Sequence, residues 1–155
     1  MKKEEMIGFV IRALDNLMMR NAMEDEPMRK EGMMPILQGW ILDYLYENKE
    51  KEVFQRDIEA EFFVARSTVT CAVKQMEKKG LIERTAVDRD SRLKKLSILP
   101  EGEMIREHFL QNIEIAERKM RQNIDKEELQ IFFDVAAKIR KNLERRECKD
   151  FCHQM

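Results

Sequence analysis

The sequence predicts a mainly α-helical subunit with one small antiparallel β-hairpin, and three observations support this fold class. Glycine and proline are scarce, with 5 and 3 copies in 155 residues, and charged residues make up 38%, a composition typical of long helices. Apolar residues recur at helical spacing over most of the chain. Strand-like spacing occurs only around one charged loop, within residues 81–99. The length suits a single domain with its own core.

The first part of the chain contains two predicted amphipathic helices with a helix-breaking segment between them. The first, over residues 4–23, places these apolar side chains on one face: Ile7, Val10, Ile11, Leu14, Leu17 and Met18. The segment EDEPMRKEGMMP follows, and its two prolines and one glycine break the pattern. The second helix should begin at Pro35 and pack through an apolar face formed by Ile36, Leu37, Trp40, Ile41 and Leu45.

The middle of the chain predicts two short helices followed by a hairpin. Residues 54–62 form the first helix, with Phe54 and Ile58 directed inward, and a turn follows near Phe63 and Val64. The second helix runs from about residue 66 to residue 79 and has four apolar residues at i, i+3, i+4 and i+7 spacing: Val69, Ala72, Val73 and Met76. Gly80 stands where a left-handed cap is wanted. Segments 81–86 and 93–99 then read as paired strands around the charged loop.

The last third of the chain is predicted to be helical again. Pro100 suits a first helical turn, and an apolar stripe follows at Ile105, Phe109, Ile113, Ala116 and Met120. Asp125 and Glu128 have the spacing of a capping box. The helix that they introduce carries Leu129, Phe132, Phe133, Ala136, Ala137 and Leu143.

Charge is unevenly distributed along the chain. The formal net charge is −1, but residues 64–97 sum to +5 and the remainder to −6. Binding responds to a local patch and not to the total. A short helix, a turn, a second helix and a hairpin form a winged helix-turn-helix, and a basic charge on that unit indicates DNA. The second helix would enter the major groove and the hairpin would supply arginine to the minor groove.

The residues that would contact DNA lie on the outer face of the second helix and on the hairpin. Hydroxyl groups and free backbone N–H groups near a helix N-terminus can meet phosphates and base edges, and the lysines further along can reach the backbone. The predicted DNA-binding residues are Arg66, Ser67, Thr68, Thr70, Lys74, Gln75, Lys78, Arg89, Asp90, Arg92 and Lys94.

The stretches RSTVTCAVKQMEKKGLIER and DRDSRLKKLSILPEG resemble the MarR family of bacterial transcription regulators. The first resembles the recognition helix of that family, and the second carries its D-x-R wing as Asp90-Ser91-Arg92. The resemblance covers most of the chain, through PILQGWILDYL to the closing IDKEELQIFFDVAAKIRKNL.

The resemblance implies an obligate homodimer that binds a palindromic operator in double-stranded DNA, usually as a repressor. We expect it in the cytoplasm, since the first helix is amphipathic and does not read as a signal peptide. The whole chain, residues 1–155, would be one subunit, with dimerisation helices at 1–30 and 100–146, a DNA-binding lobe at 34–99 and a tail at 147–155. Arg92 would enter the minor groove and Asp90 would pair with arginine. A small aromatic or lipophilic effector would bind near Met18, Met34 and Trp40 and release the DNA.

The chain departs from the family pattern at three positions. Phe63 stands in the turn where glycine or asparagine is usual, so we expect a rebuilt turn or a Phe63 side chain buried against a partner. Glu59 replaces an alanine in the first of the two helices. Leu99 replaces a threonine that caps the helix after the wing.

A redox- or metal-responsive regulator on the same fold is the alternative. It would use Cys71, on or beside the recognition face, or Cys148 and Cys152 with His153 nearby. A winged helix that contacts only proteins is a third possibility, which the positive segment disfavours.

The sequence shows no nucleophile–base arrangement and no phosphate loop, so we expect no enzyme activity, no cofactor and no metal. His108 is expected to have a structural role. No membrane-spanning segment is expected.

Overall fold

The structure is a computed structural model that describes residues 2–24 and 35–144. A 3-10 turn at Lys3–Glu5 precedes the first helix. The elements that follow are α1 (Ile7–Glu24), α2 (Ile36–Glu47), α3 (Gln55–Phe62), α4 (Arg66–Lys78), β1 (Ile82–Val87), β2 (Asp90–Ile98), α5 (Pro100–Met120) and α6 (Lys126–Glu144). The predicted fold class is confirmed. So are the starts of α2 and α5 beside Pro35 and at Pro100, and the left-handed Gly80, whose φ is 70°.

The two strands pair antiparallel and form the wing. The ladder is regular from Ile82↔Ile98 to Ala86↔Lys94, and then shifts so that Val87 faces Asp90. Residues 91–93 are therefore extra residues on β2, which form an irregular bulge. The expected second strand at 93–99 begins three residues early, and only Asp88 and Arg89 form the tip. The prediction missed this because the Asp90-Ser91-Arg92 stretch has no apolar alternation to mark it as strand.

One residue of the connector between α2 and α3 pairs with the wing strand β2. Val53 forms an isolated antiparallel bridge with Leu96, whose N–H donates to the Val53 carbonyl at 2.8 Å. Val53 is 4% exposed and the next residue, Phe54, is 6% exposed, so the end of the connector between α2 and α3 is anchored in the core. That contact holds the wing against the helix-turn-helix unit.

One hydrophobic core lies beneath α2, α3, α4 and the wing. Its buried members are Ile41, Leu42, Leu45, Val53, Ile58, Val69, Ala72, Val73, Met76, Leu81, Ile82 and Leu96. All four apolar residues predicted for the inner face of α4 are among them, and Phe54 and Ile58 point inward as expected. The core therefore places α4 with its polar face outward.

The buried face of α2 agrees with the predicted one at Ile41 and Leu45 and differs elsewhere. Its buried residues are Gln38, Gly39, Ile41, Leu42 and Leu45, while Ile36, Leu37 and Trp40 are only half-buried. The cause is Phe109 of α5, whose ring lies where a Cβ of residue 39 would be. The same ring meets the Trp40 ring edge-on, with centroids 5.2 Å apart. A glycine was needed at this crossing, and hydropathy alone did not indicate it.

The chain divides into two compact units, residues 1–116 and 117–155. In the second unit, α6 begins at the predicted capping box. The Glu128 N–H donates to Asp125 Oδ1 at 2.8 Å, and the Asp125 N–H donates to Glu128 Oε2 at 3.0 Å. No helix within residues 2–24 and 35–144 is both long and apolar enough to cross a membrane.

Candidate nucleic-acid interface

The turn between α3 and α4 is made by a phenylalanine in a left-handed conformation. Phe63 has φ 52° and ψ 37°, and its side chain is 64% exposed. The turn therefore keeps its left-handed geometry and is not rebuilt, contrary to the first of the two expectations for this position. Left-handed backbone is unfavourable for a residue with a Cβ by about 1–2 kcal/mol, so the packing of α3 and α4 must hold this residue in place.

The outer face of α4 is polar and open to solvent. Arg66, Ser67, Thr68, Cys71, Lys74, Gln75 and Lys78 are all exposed, and Thr70 is half-buried. The Thr70 hydroxyl accepts a hydrogen bond from Gln55 Nε2 at 3.0 Å, so it joins α3 to α4. Its proton remains available to an external acceptor.

Gln75 is held from beneath by a residue that the sequence prediction did not include. Gln38 of α2 is 1% exposed, and its Nε2 donates to Gln75 Oε1 at 2.8 Å. Gln75 Nε2 in turn donates to Cys71 Sγ at 3.6 Å. The only signal in the sequence was a polar residue in the first turn of a mainly apolar helix, and periodicity assigns such a residue to the surface.

An ion pair joins the last part of α4 to the wing. Arg84 of β1 donates from Nε to Glu77 Oε2 of α4 at 2.9 Å, and from Nη2 to the same oxygen at 2.5 Å. The hydrogen bond from Arg84, together with its positive charge, lowers the pKa of Glu77. The pair also offsets the only carboxylate of α4, which favours the approach of a polyanion.

The charged residues of the wing differ in their environment: Arg89 forms an ion pair within the chain, whereas Arg92 and Lys94 are exposed. Arg89, at the tip, pairs with Glu52 of the connector, with Nη1 2.6 Å from Oε2, and its guanidinium carbon lies 5.7 Å from the centroid of the Phe54 ring. Asp90 was expected to pair with an arginine side chain, but Asp90 Oδ1 instead accepts the backbone N–H of Arg92 at 2.9 Å. A short carboxylate side chain bonds most readily to the backbone two residues on, and this bond shapes the bulge that presents Arg92.

The structure describes only some of the residues predicted for effector binding or for the redox- or metal-responsive alternative. Met18 is 43% exposed on α1, Trp40 packs on Phe109, and Met34 lies outside the described residues. Cys148, Cys152 and His153 also lie outside them, and Cys71 is an exposed free thiol. Within residues 2–24 and 35–144 there is no group of three or more His, Cys, Asp or Glu side chains that could hold a metal ion.

Helix α4 thus exposes a polar face and the hairpin carries a net positive charge, and both pack on the same core. A model of the MarR family matches residues 32–93, which include α2, α3, α4 and β1. The uncharacterized HTH-type transcriptional regulator YsmB of Bacillus subtilis (strain 168) is 28% identical over 105 residues, which are 68% of this chain and 70% of that protein.

Two solved structures are similar over nearly the whole described chain. The S. aureus MepR–DNA complex aligns with a TM-score of 0.78 and 22% identity, covering 89% of this chain and 98% of that one. The transcription regulator MarR from Oenococcus oeni PSU-1 aligns with a TM-score of 0.67 and 28% identity, covering 88% and 99%. Residues 32–93 therefore match the MarR family of transcription regulators, and the described chain has the winged helix-turn-helix fold of these solved structures.

Proposed function

We propose that this chain is a MarR-family regulator, a homodimeric repressor that binds a palindromic operator and is released by a small-molecule effector. One observation carries the proposal. The polar face of α4 and the exposed Arg92 of the wing are presented together, while the apolar face of α4 is buried. A surface built in this way suits simultaneous contact with a major groove and the adjacent minor groove.

In this proposal each part of the lobe at residues 34–99 has one task. The N-terminal turn of α4 meets base edges and phosphates, and Lys74, Gln75 and Lys78 extend the contact along the groove. Arg92 enters the minor groove, where a narrow groove concentrates negative potential. Arg89, Asp90 and Lys94 complete the wing contact, with Asp90 acting through the Arg92 backbone.

The proposal of a homodimer is supported by apolar surface on two helices, each considered by itself. On α1 the exposed apolar residues are Ile7, Phe9, Val10, Ile11, Leu14, Leu17 and Met18. On α6 they are Ile131, Phe132, Phe133, Val135 and Leu143. Apolar patches of this extent mark interaction surfaces. We assign segments 1–30 and 100–146 to the dimer interface and 147–155 to a tail.

A dimer also gives the effector a way to act. Two half-sites on one face of B-DNA lie about 34–36 Å apart, so a tilt of one recognition helix against the other prevents both from docking. Met18, Met34 and Trp40 supply apolar and aromatic side chains for a small lipophilic or aromatic effector. The regulator would act in the cytoplasm and would catalyse no reaction.

The test is a fluorescence anisotropy titration against the DNA upstream of the protein's own gene, at about 50 and 200 mM salt. We expect tight binding that resists non-specific competitor and weakens by about 10³-fold or more between the two salt concentrations, as for proteins with six or more phosphate contacts. Sedimentation of the free protein should show a dimer. Weak binding that is indifferent to sequence, on this DNA and on a randomised duplex library, would contradict the proposal.

A further inference from the structure

The most unusual polar group in the lobe is the amide of Gln38, directly beneath the recognition helix. Its side chain is 1% exposed, and its Nε2 donates to Gln75 Oε1 at 2.8 Å. Its own oxygen, Oε1, is buried and has no hydrogen-bond partner among the described residues. Buried polar atoms are nearly always paired, so this glutamine calls for an explanation.

The Gln38 side-chain amide could point either its nitrogen or its oxygen at Gln75. The two orientations differ in which buried hydrogen-bonding groups of Gln38 they leave unpaired. In the observed orientation Gln38 leaves one buried acceptor and one of its two amide N–H groups without a partner. In the opposite orientation Gln38 would bury two amide N–H groups without an acceptor, which is the less favourable state. Gln75 Nε2 also donates to Cys71 Sγ at 3.6 Å, which it could not do if it faced Gln38. The oxygen of Gln75 is therefore occupied from within the protein.

An occupied oxygen changes what Gln75 can read. A free glutamine recognises adenine with both ends of its amide, accepting from N6–H and donating to N7. Gln75 has its oxygen turned toward Gln38, where one of its two lone pairs is already used, so the group that it turns outward is N–H. A donor alone matches the acceptors of the major groove, which are purine N7, guanine O6 and thymine O4, and does not match the amino groups of adenine or cytosine.

We propose that Gln38 is a positioning residue that fixes Gln75 as a donor-only reader of one base pair in each half-site. This inference rests on the proposed operator binding and adds the chemistry by which one position is selected. Methionine would fill a similar volume at residue 38 without an orphaned oxygen. The buried amide is thus explained by what its N–H does to Gln75.

The first test selects duplexes from a randomised DNA library with wild-type protein, Gln38→Met and Gln75→Ala. We expect wild-type protein to enrich a palindromic motif. Gln75→Ala should lose the preference at one base pair per half-site and keep the others. Gln38→Met frees the Gln75 amide to rotate, so it should keep the motif but gain adenine at that same pair. Circular dichroism and thermal unfolding confirm that each variant is folded.

The second test needs only the wild-type protein, and so does not depend on the stability of any variant. In the enriched operator, single atoms of the pair read by Gln75 are removed with base analogues, such as 7-deazapurine for N7 and purine for adenine N6. Removal of one acceptor should weaken binding by about two- to tenfold, the value of one hydrogen bond. Removal of the amino group should change binding by less than about twofold, since no acceptor faces it.

The possible results distinguish failure of donor-only reading from failure of operator binding. If Gln38→Met selects the same bases as wild type, or if loss of the amino group weakens binding as much as loss of an acceptor, donor-only reading is overturned. If Gln75→Ala weakens all sequences equally, Gln75 contacts phosphate and the specificity role is overturned. If wild-type protein enriches no motif, operator binding itself fails and the inference fails with it.

Discussion

Helices α4 and α6 have the same kind of amphipathic pattern but use it differently. In α4, Val69, Val73 and Met76 are fully buried, and the polar side faces solvent. In α6, Phe132 and Phe133 are 59% and 48% exposed, and no residue of the helix is buried within the chain. The comparison teaches that helical periodicity predicts an apolar face without saying whether the same chain covers it.

The difference has a physical origin in what surrounds each helix. Helix α4 lies on a core built from α2, α3 and β1, which are all within the same unit. Helix α6 is capped at its start and has an edge-on contact between the Phe132 and Phe133 rings, with centroids 5.5 Å apart. A ring pair at the surface shields little apolar area.

The largest expected effect comes from the buried side of α4. Met76→Ala should lower the free energy of unfolding by about 2–5 kcal/mol, because it leaves a cavity at a fully buried site. Urea unfolding followed by circular dichroism measures this. Met104→Ala, at a methionine that is 55% exposed, is the matched control and should change the free energy by less than about 0.5 kcal/mol. Equal losses in both variants would contradict the assignment of the core.

A charge on the apolar side of α6 should separate the subunits. Phe132→Glu would bury an unpaired carboxylate in each copy of the interface, so we expect dimer dissociation to become at least about 100-fold easier. Sedimentation velocity over a range of protein concentrations measures it. Lys138→Glu adds the same carboxylate at an exposed polar position and should leave the dimer intact. A Phe132→Glu protein that remains a dimer would remove α6 from the proposed interface.

The outer surface of the lobe should respond in DNA binding and not in folding. Arg92→Ala should weaken operator binding by about 1–3 kcal/mol if the side chain reads the minor groove. Its unfolding should be unchanged, because Arg92 is exposed. Arg140→Ala removes the same charge from α6 and serves as the control. An operator-binding curve that Arg92→Ala does not alter would refute the wing assignment.

The smallest expected effect concerns the arginine at the wing tip. Glu52 holds Arg89 in an ion pair in which both side chains are partly exposed, and this pair must open for Arg89 to reach DNA. Glu52→Gln should therefore strengthen operator binding by about 0.2–1 kcal/mol, the usual range for exposed pairs. Glu50→Gln removes the same charge two residues earlier, where the structure shows no ion pair to Arg89. Equal gains in both variants would indicate general electrostatics and not release of Arg89.

Much of this architecture could be predicted from the sequence, because the informative signals are local. The inner face of α4, the left-handed Gly80 and the capping box at Asp125 depend on residues within one or two turns of each other. The misses depend on contacts between distant segments. Gln38 is buried because Gln75 lies 37 positions away and accepts its N–H.

The same limit applies to the candidate interface. The sequence predicts Arg89 as a contact residue, but the Glu52 carboxylate that holds it belongs to a connector that reads as a solvated charge run. It also predicts Asp90, but the partner of Asp90 proved to be a backbone N–H and not a guanidinium. Identity and exposure of a side chain follow from pattern, whereas its partner follows from the fold.

Gly102 has a mechanical consequence for the wing. It lies so close to Leu81 that a Cβ would overlap the Leu81 carbonyl, and the same carbonyl accepts the N–H of Leu99 at 3.0 Å. The base of the hairpin is thus clamped to the start of α5, while its ladder becomes irregular beyond the Ala86↔Lys94 pair. We expect the wing to be fixed at its root and more deformable at its tip. In the proposed complex with DNA, its arginines would then follow grooves of different width without disturbing the recognition helix.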